Sequence, residues 1–198
     1  MKRLQALAQT GLAYSHDAYD RERFAAAQQI AAEIAAAGSD APLEKVRELF
    51  QAQTGYATPK VDVRGVVFRD DRILLVKDVS DGCWTLPGGW ADVLESPREA
   101  VEREVREESG FVVRATKLIA VYDRAKHEHE PSFPFHVYKL FMRCEMTGGA
   151  ATPSAETSEV AFYAEGELPR LSRSRITPEQ IARAFAHLRA PDLPAEFD

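Results

Sequence analysis

Glu104, Glu107 and Glu108 fall at i, i+3 and i+4 within Arg98 to Ser109, a stretch with neither Gly nor Pro, so in a helix all three carboxylates crowd one face. Like charges at that spacing repel. A solvated face would interleave lysines to relieve them, and this one has none. The pattern therefore calls for a cation. Hard oxygen donors suit Mg²⁺ or Mn²⁺, and Mg²⁺ in particular takes a few carboxylates plus water and phosphate oxygens in place of a full protein cage. Just upstream, the turn Pro87-Gly88-Gly89 argues further against a merely solvated face.

The elements that must position these groups can be read from the same stretch outward. Ser96 is a ready N-cap, Pro97 suits the first helical position, Glu99 completes a capping box and Gly110 offers a left-handed C-terminal cap. Ala100, Val101 and Val105 give that helix an apolar side. Upstream, Val61 to Phe68 and Ile73 to Lys77 read as strands joined by the turn Arg69-Asp70-Asp71-Arg72. Downstream, Phe111 to Val121 and His136 to Met146 alternate as strands, and Thr177-Pro178-Glu179-Gln180 caps a final helix whose Ile181, Phe185 and Leu188 face the other side of the sheet. Trp84 reads as a packing residue. The segment from Asp123 to Phe135 is too polar and Pro-interrupted for a strand, and connections of that length are often functional. Within it, Arg124 and Lys126 are candidate partners for substrate phosphates, whereas His127-Glu128-His129 lacks zinc-site spacing and reads as a solvated loop, with substrate contact the alternative.

Taken whole, Gly89, five residues, Glu95, seven residues, then Arg103-Glu104-Val105-Arg106-Glu107-Glu108-Ser109-Gly110-Phe111 resembles the Nudix box of the Nudix hydrolase superfamily at every defined position. The resemblance implies an α/β fold, an α/β/α sandwich with a mixed sheet, in which the box holds divalent metal against a diphosphate. It implies that Glu104 and Glu108 are the principal metal ligands, that Glu107 is a further ligand or the base that deprotonates water, that the Gly88 carbonyl adds a ligand, and that Arg103 with Glu95 orients the helix. Superfamily members often draw another glutamate from outside the box, here Glu156 or Glu159.

The 198 residues exceed one such domain, and residues 1 to about 54 read as three helices: Lys2 to Tyr14, a second from near Asp17 to Gly38, and a third from Asp40–Pro42 to Gly55. The expected organisation is a small all-helical domain, 1–56, before a Nudix domain, 57–198. Leu4, Leu7, Ala8 and Leu12 in the first helix, Ile30 and Ile34 in the second, and Leu43, Val46, Leu49 and Phe50 in the third supply apolar faces for each other, for the second domain or for another subunit. A formal charge of −6 and basic residues offset by acids on every leader helix argue against DNA binding. Cys83 and Cys144 imply no disulfide framework, and no stretch approaches the roughly 18 apolar residues of a membrane span, so a soluble cytoplasmic protein is expected.

The helical leader followed by Thr58 to Arg64, Trp84 to Asp92 and His136-Val137-Tyr138-Lys139 is similar to the subgroup typified by bacterial CDP-choline pyrophosphatase, with Leu94 a minor departure before the box glutamate. That resemblance implies a homodimer acting on a nucleoside diphosphate linked to a small group, CDP-choline-like or ADP-ribose-like. Metal would neutralise phosphate and activate water, and a glutamate not saturated by metal would take the proton. The alternatives are a non-hydrolysing nucleotide sensor, which would be expected to lose box glutamates, and RNA-end processing, which would need a basic track.

Overall fold

The computed structural model describes residues 1–198 and divides into two compact units, Met1–Pro59 with Pro134–His136, and Lys60–Phe133 with Val137–Asp198. In the first unit, α1 spans Lys2–Tyr14, α2 Ala18–Ala37 and α3 Leu43–Gln51. Asp17 caps α2 by accepting from the Asp20 N–H. α3 stops at Gln51, short of the expected Gly55, because Ala52 closes its last turn and the chain then leaves the helix. Ala31, Ala32, Val46 and Phe50 form the core of this unit, with Phe135 edge-on to Phe50 at 5.9 Å between centroids. Leu7, Ile30, Ile34, Leu43 and Leu49, from the apolar faces of these helices, are exposed in the single chain.

In the second unit, β1 (Lys60–Arg69) and β2 (Arg72–Asp78) form a hairpin across Asp70 and Asp71, both at positive φ as a type I′ turn requires. The chain continues through β3 (Trp84–Thr85), α4 (Pro97–Ser109), β4 (Phe111–Asp123), β5 (Val137–Gly149), β6 (Thr157–Tyr163), α5 (Pro178–Arg189) and β7 (Glu196–Phe197). The mixed sheet runs β3-β2-β1-β5-β4-β7, with β6 also paired to β2. β1 and β5 are parallel, and their register sets Asp62 beside Lys139. Side chains alternate along β1, so Val63 and Val67 pack with Ala100, Val101 and Val105 of α4, while Val66 joins Ile181, Ala184 and Phe185 of α5 on the opposite face. The result is an α/β/α sandwich.

Both helices carry the expected caps. Ser96 and Glu99 exchange hydrogen bonds at the start of α4, Gly110 closes it in the left-handed conformation, and Thr177 with Gln180 repeats the box on α5. Trp84 lies buried against Tyr163 at 5.0 Å, a packing residue. The histidine pair departs from the solvated loop expected of it. His129 is buried: its Nδ1 lies 3.1 Å from the Arg173 carbonyl and its Nε2 3.2 Å from the Gln180 amide, while His127 packs at a tilt against Tyr122 with ring centroids 4.4 Å apart. The reason is the segment 172–175 and the start of α5, which supply polar partners that local sequence does not reveal.

Candidate active site

The turn Leu86–Ala91 runs along the first half of β1, on the side that β2 pairs only near the hairpin, tied to it by Gly65 N–H to Pro87 O at 2.8 Å, Val63 N–H to Gly89 O at 2.8 Å and Ala91 N–H to Val61 O at 3.0 Å. This lays the turn under α4. Gly88 sits at φ +145°, and a Cβ there would meet the Val63 carbonyl oxygen at 2.0 Å, so no other residue fits. Its N–H donates to Glu108 Oε2 at 2.8 Å. At Gly89 a Cβ would come within 2.9 Å of both oxygens of Glu104, which shows how closely that carboxylate lies on the backbone. Gly88, Gly89, Glu104 and Glu108 are thus one assembly.

Arg103 is the hub of the remaining carboxylates. Its Nε and Nη2 grip Glu95 at 2.8 and 3.0 Å, and its Nη1 donates to Glu104 at 2.9 Å and Glu107 at 3.0 Å. Hydrogen bonds from Glu95 first, then from Glu107 and Glu104, hold the guanidinium far above its ordinary pKa and fix it as a cation. Part of the positive charge that the glutamate stripe calls for is therefore supplied by Arg103, and no three carboxylate, imidazole or thiolate groups converge on one point.

Glu104 and Glu108 remain poorly compensated. Burial raises Glu104 above the usual carboxylate range despite Arg103 and Arg64, and pushes Glu108 up to about 7, although Arg64 and the Gly88 N–H pull it down. Nearby Glu104 and Glu156 add to the push on Glu108. Two half-buried carboxylates that resist ionisation, with an exposed third in Glu107, form a hard-oxygen donor set whose charge a divalent cation would balance, so these residues fit Mg²⁺ or Mn²⁺. Of the two glutamates outside the box, Glu159 is held by Lys77 at 2.6 Å, whereas Glu156 is the one whose charge reaches Glu108.

Behind this face lies a buried ionic network that the sequence reading missed. Arg64 donates to both oxygens of Asp62, at 2.9 and 2.7 Å, and to the Leu86 carbonyl at 3.2 Å; Lys139 Nζ reaches Asp62 at 2.6 Å. Burial would raise Asp62, but Arg64 and Lys139 outweigh it and hold the carboxyl down to about 2. Burial, with Arg64 and Arg124, keeps the Lys139 ammonium below the usual lysine range against the pull of Asp62. The charges of Asp62, Glu108 and Glu104 sustain the buried Arg64 cation, which links the network to the box. Charged residues alternating with valines, Asp62-Val63-Arg64, inside an otherwise apolar strand were the available signal.

Asp62 and Lys139 open onto a cavity of about 270 Å³ whose walls include Trp90, Arg124 and Phe133. Arg124 is buried, donates through Nη2 to the Pro131 and Ser174 carbonyls at 2.9 and 3.2 Å, and lies 5.5 Å from the Phe133 ring centre. Lys126, the other candidate for substrate contact, is exposed and does not line this cavity. The structure therefore puts Arg124 in the wall of this cavity and leaves Lys126 outside it. Both cysteines are buried free thiols, and no helix is long and apolar enough to cross a membrane.

Comparison with known proteins gives this geometry a context. Residues 58–185 match the NUDIX domain, and residues 1–50 match a domain described as UDP-X-like, N-terminal oligomerisation domain. A protein of Bacillus subtilis strain 168, YjhB, described as a candidate ADP-ribose pyrophosphatase, is 45% identical over 197 residues, covering 100% of this chain and 94% of its own. Among solved structures, a UDP-X diphosphatase superposes with a TM-score of 0.66 at 32% identity over 99% of this chain and 95% of its own. An ADP-ribose pyrophosphatase from Streptococcus suis 89-1591 gives 0.65 at 37% identity over 71% of this chain and all of its own.

Proposed function

Because this chain belongs to the Nudix family and is a pyrophosphohydrolase, we propose that it hydrolyses, with a divalent cation, the diphosphate of a nucleoside diphosphate linked to a small group. The products are a nucleoside monophosphate and the phosphorylated small group. The observation that carries this reading is the pairing of Glu104 and Glu108, half-buried and raised above the usual carboxylate range, against the Gly88-Gly89 backbone. The names of the relatives, ADP-ribose pyrophosphatase and UDP-X diphosphatase, support the substrate class.

Glu104 and Glu108, with Glu107 and the Gly88 carbonyl, would hold Mg²⁺ or Mn²⁺, which when bound neutralises phosphate charge and acidifies water. Arg103 keeps Glu104 and Glu107 at fixed positions on α4 and, through Glu95, ties the helix to the loop before it. Glu107, exposed and bonded to Arg103 through one oxygen, would serve as a further ligand or as the base that takes a proton from the attacking water. Gly88 and Gly89 let the turn lie against Val63 and against the Glu104 carboxylate, where a Cβ would collide. A panel of ADP-ribose, CDP-choline, UDP-glucose, NADH, diadenosine polyphosphates and capped RNA, assayed with Mg²⁺ and with Mn²⁺, tests the reading. Cleavage confined to compact nucleoside diphosphate derivatives is expected; a preference for capped RNA, or no cleavage at all, would overturn it.

The chain also acts as a homodimer in this reading. Exposed Leu7, Ile30, Ile34 and Leu49 on the leader helices, together with the oligomerisation-domain match over residues 1–50, support it. Light scattering of the full chain should give twice the chain mass of 22.0 kDa; a mass of 22.0 kDa at micromolar concentration would contradict it.

A further inference from the structure

The cavity beside the box has an unusual wall for its size. Lys139 is 2% exposed and lines the cavity, and Asp62 is its hydrogen-bond partner in the protein, so two of its three N–H donors are not taken up by the protein. A buried ammonium with spare donors is costly unless a ligand uses them. Arg124, also in the cavity wall, commits Nη2 to two carbonyls, and its Nε and Nη1 make no hydrogen bond within the protein. Asp62 accepts two bonds from Arg64 and one from Lys139, which leaves one of its roughly four acceptor positions. The other cation at the rim, Arg175, is already answered by Asp78 at 2.9 Å and Asp81 at 3.2 Å.

Next to these polar groups stand two rings, Trp90 and Phe133, with centroids 6.0 Å apart and planes 37° off parallel. Such a wall suits a flat ring stacked on its face with its edge turned to Lys139, Arg124 and Asp62. We propose that this cavity is the base subsite for a pyrimidine nucleotide, with Lys139 and Arg124 donating to ring acceptors and Asp62 accepting from one ring donor. The count decides between bases. Two cationic donors and one carboxylate acceptor complement a pairing edge with two acceptor groups and one donor group, which uracil and cytosine both have. Adenine offers one of each and guanine one acceptor with two donors, so either purine leaves a buried donor of the wall unpaired. A phosphate would match the cations but would meet Asp62 head-on.

The position agrees with the proposed reaction, on which this assignment rests. Trp90 follows Gly89 directly, Asp62 bridges to Trp90, and Arg64 joins Asp62 to Glu104 and Glu108. A diphosphate held at the box would place its nucleoside within reach of the cavity.

The test uses the full chain, without added divalent ion, titrated calorimetrically with UMP, CMP, AMP, GMP and inorganic phosphate. UMP and CMP should bind at least ~10-fold more tightly than AMP and GMP. Lys139→Met, which leaves the Asp62–Arg64 pair in place, should bring all four within about threefold of each other, and Trp90→Leu should weaken all four by a similar factor of about ten while keeping the preference. Equal or tighter binding of AMP by the unaltered protein would overturn the assignment, as would inorganic phosphate competing equally with every nucleotide. Hydrolysis of ADP-linked compounds at least as efficient as that of UDP- and CDP-linked ones would overturn the base subsite and leave the reaction standing. A retained pyrimidine preference with no diphosphate cleaved would overturn the reaction alone.

Discussion

Replacing Glu108 by Gln lowers kcat by at least about 10²-fold while the fold and its thermal midpoint are kept. The amide oxygen still accepts from the Gly88 N–H, so the backbone contact at 2.8 Å survives; what disappears is the negative charge. That charge is unfavourable in the folded protein without a cation, because burial pushes the Glu108 carboxyl up to about 7. Its removal should therefore cost no stability, and a loss of turnover reports the chemistry alone. Glu104→Gln is expected to behave the same way in kcat and in stability, because burial outweighs its ion pair with Arg103 and leaves its carboxyl raised as well. Steady-state kinetics with a circular dichroism melt checks both, and near-normal turnover in either folded variant would contradict the assigned role.

The second large effect is on stability. Asp62 is the sole carboxylate bonded to two buried cations, and Asp62→Asn strands Arg64, 4% exposed, and Lys139, 2% exposed, side by side. Breaking such a pair from one side costs about 3 kcal/mol or more, because the partners stay buried without compensation. For a chain of this length that lowers Tm on the order of 10 °C. The same carboxylate sets an acid limit. A group whose folded pKa lies at about 2, below its unfolded value of 3.8, contributes stability that is fully present above the unfolded value and is lost as pH falls towards 2. That contribution is about 2 kcal/mol, and Asp62→Asn should flatten the dependence of Tm on pH in that window. A variant that melts with the wild type, or keeps the wild-type acid slope, would show that the network does not hold the strands.

How much of this was legible beforehand follows from the range of the interactions. The box helix is written locally: Ser96, Glu99 and Gly110 mark its ends, and helical spacing alone puts Glu104, Glu107 and Glu108 on one face. The capped final helix and the Asp70-Asp71 turn are equally local. The pair Asp62–Lys139 is not, because it depends on the parallel register of β1 with β5, across 77 residues of chain. The cavity likewise needs Trp90 and Phe133, from two connections, to meet. His129 was misread for the same reason, its partners Arg173 and Gln180 lying far along the chain. β7, two residues long, carries too little periodicity to be seen. The exposed leucines and isoleucines of the leader helices show the converse limit: periodicity says that a face is apolar, and not whether its own chain covers it.

The most direct measurement of the central claim is hydrolysis of a nucleoside diphosphate derivative in ¹⁸O-labelled water with Mg²⁺, the products being read by mass spectrometry. A single label should appear, in either the nucleoside monophosphate or the phosphorylated small group, with the amounts of the two products equal. Inorganic phosphate released from a nucleoside triphosphate as the preferred reaction, or intact substrate after prolonged incubation, would contradict it.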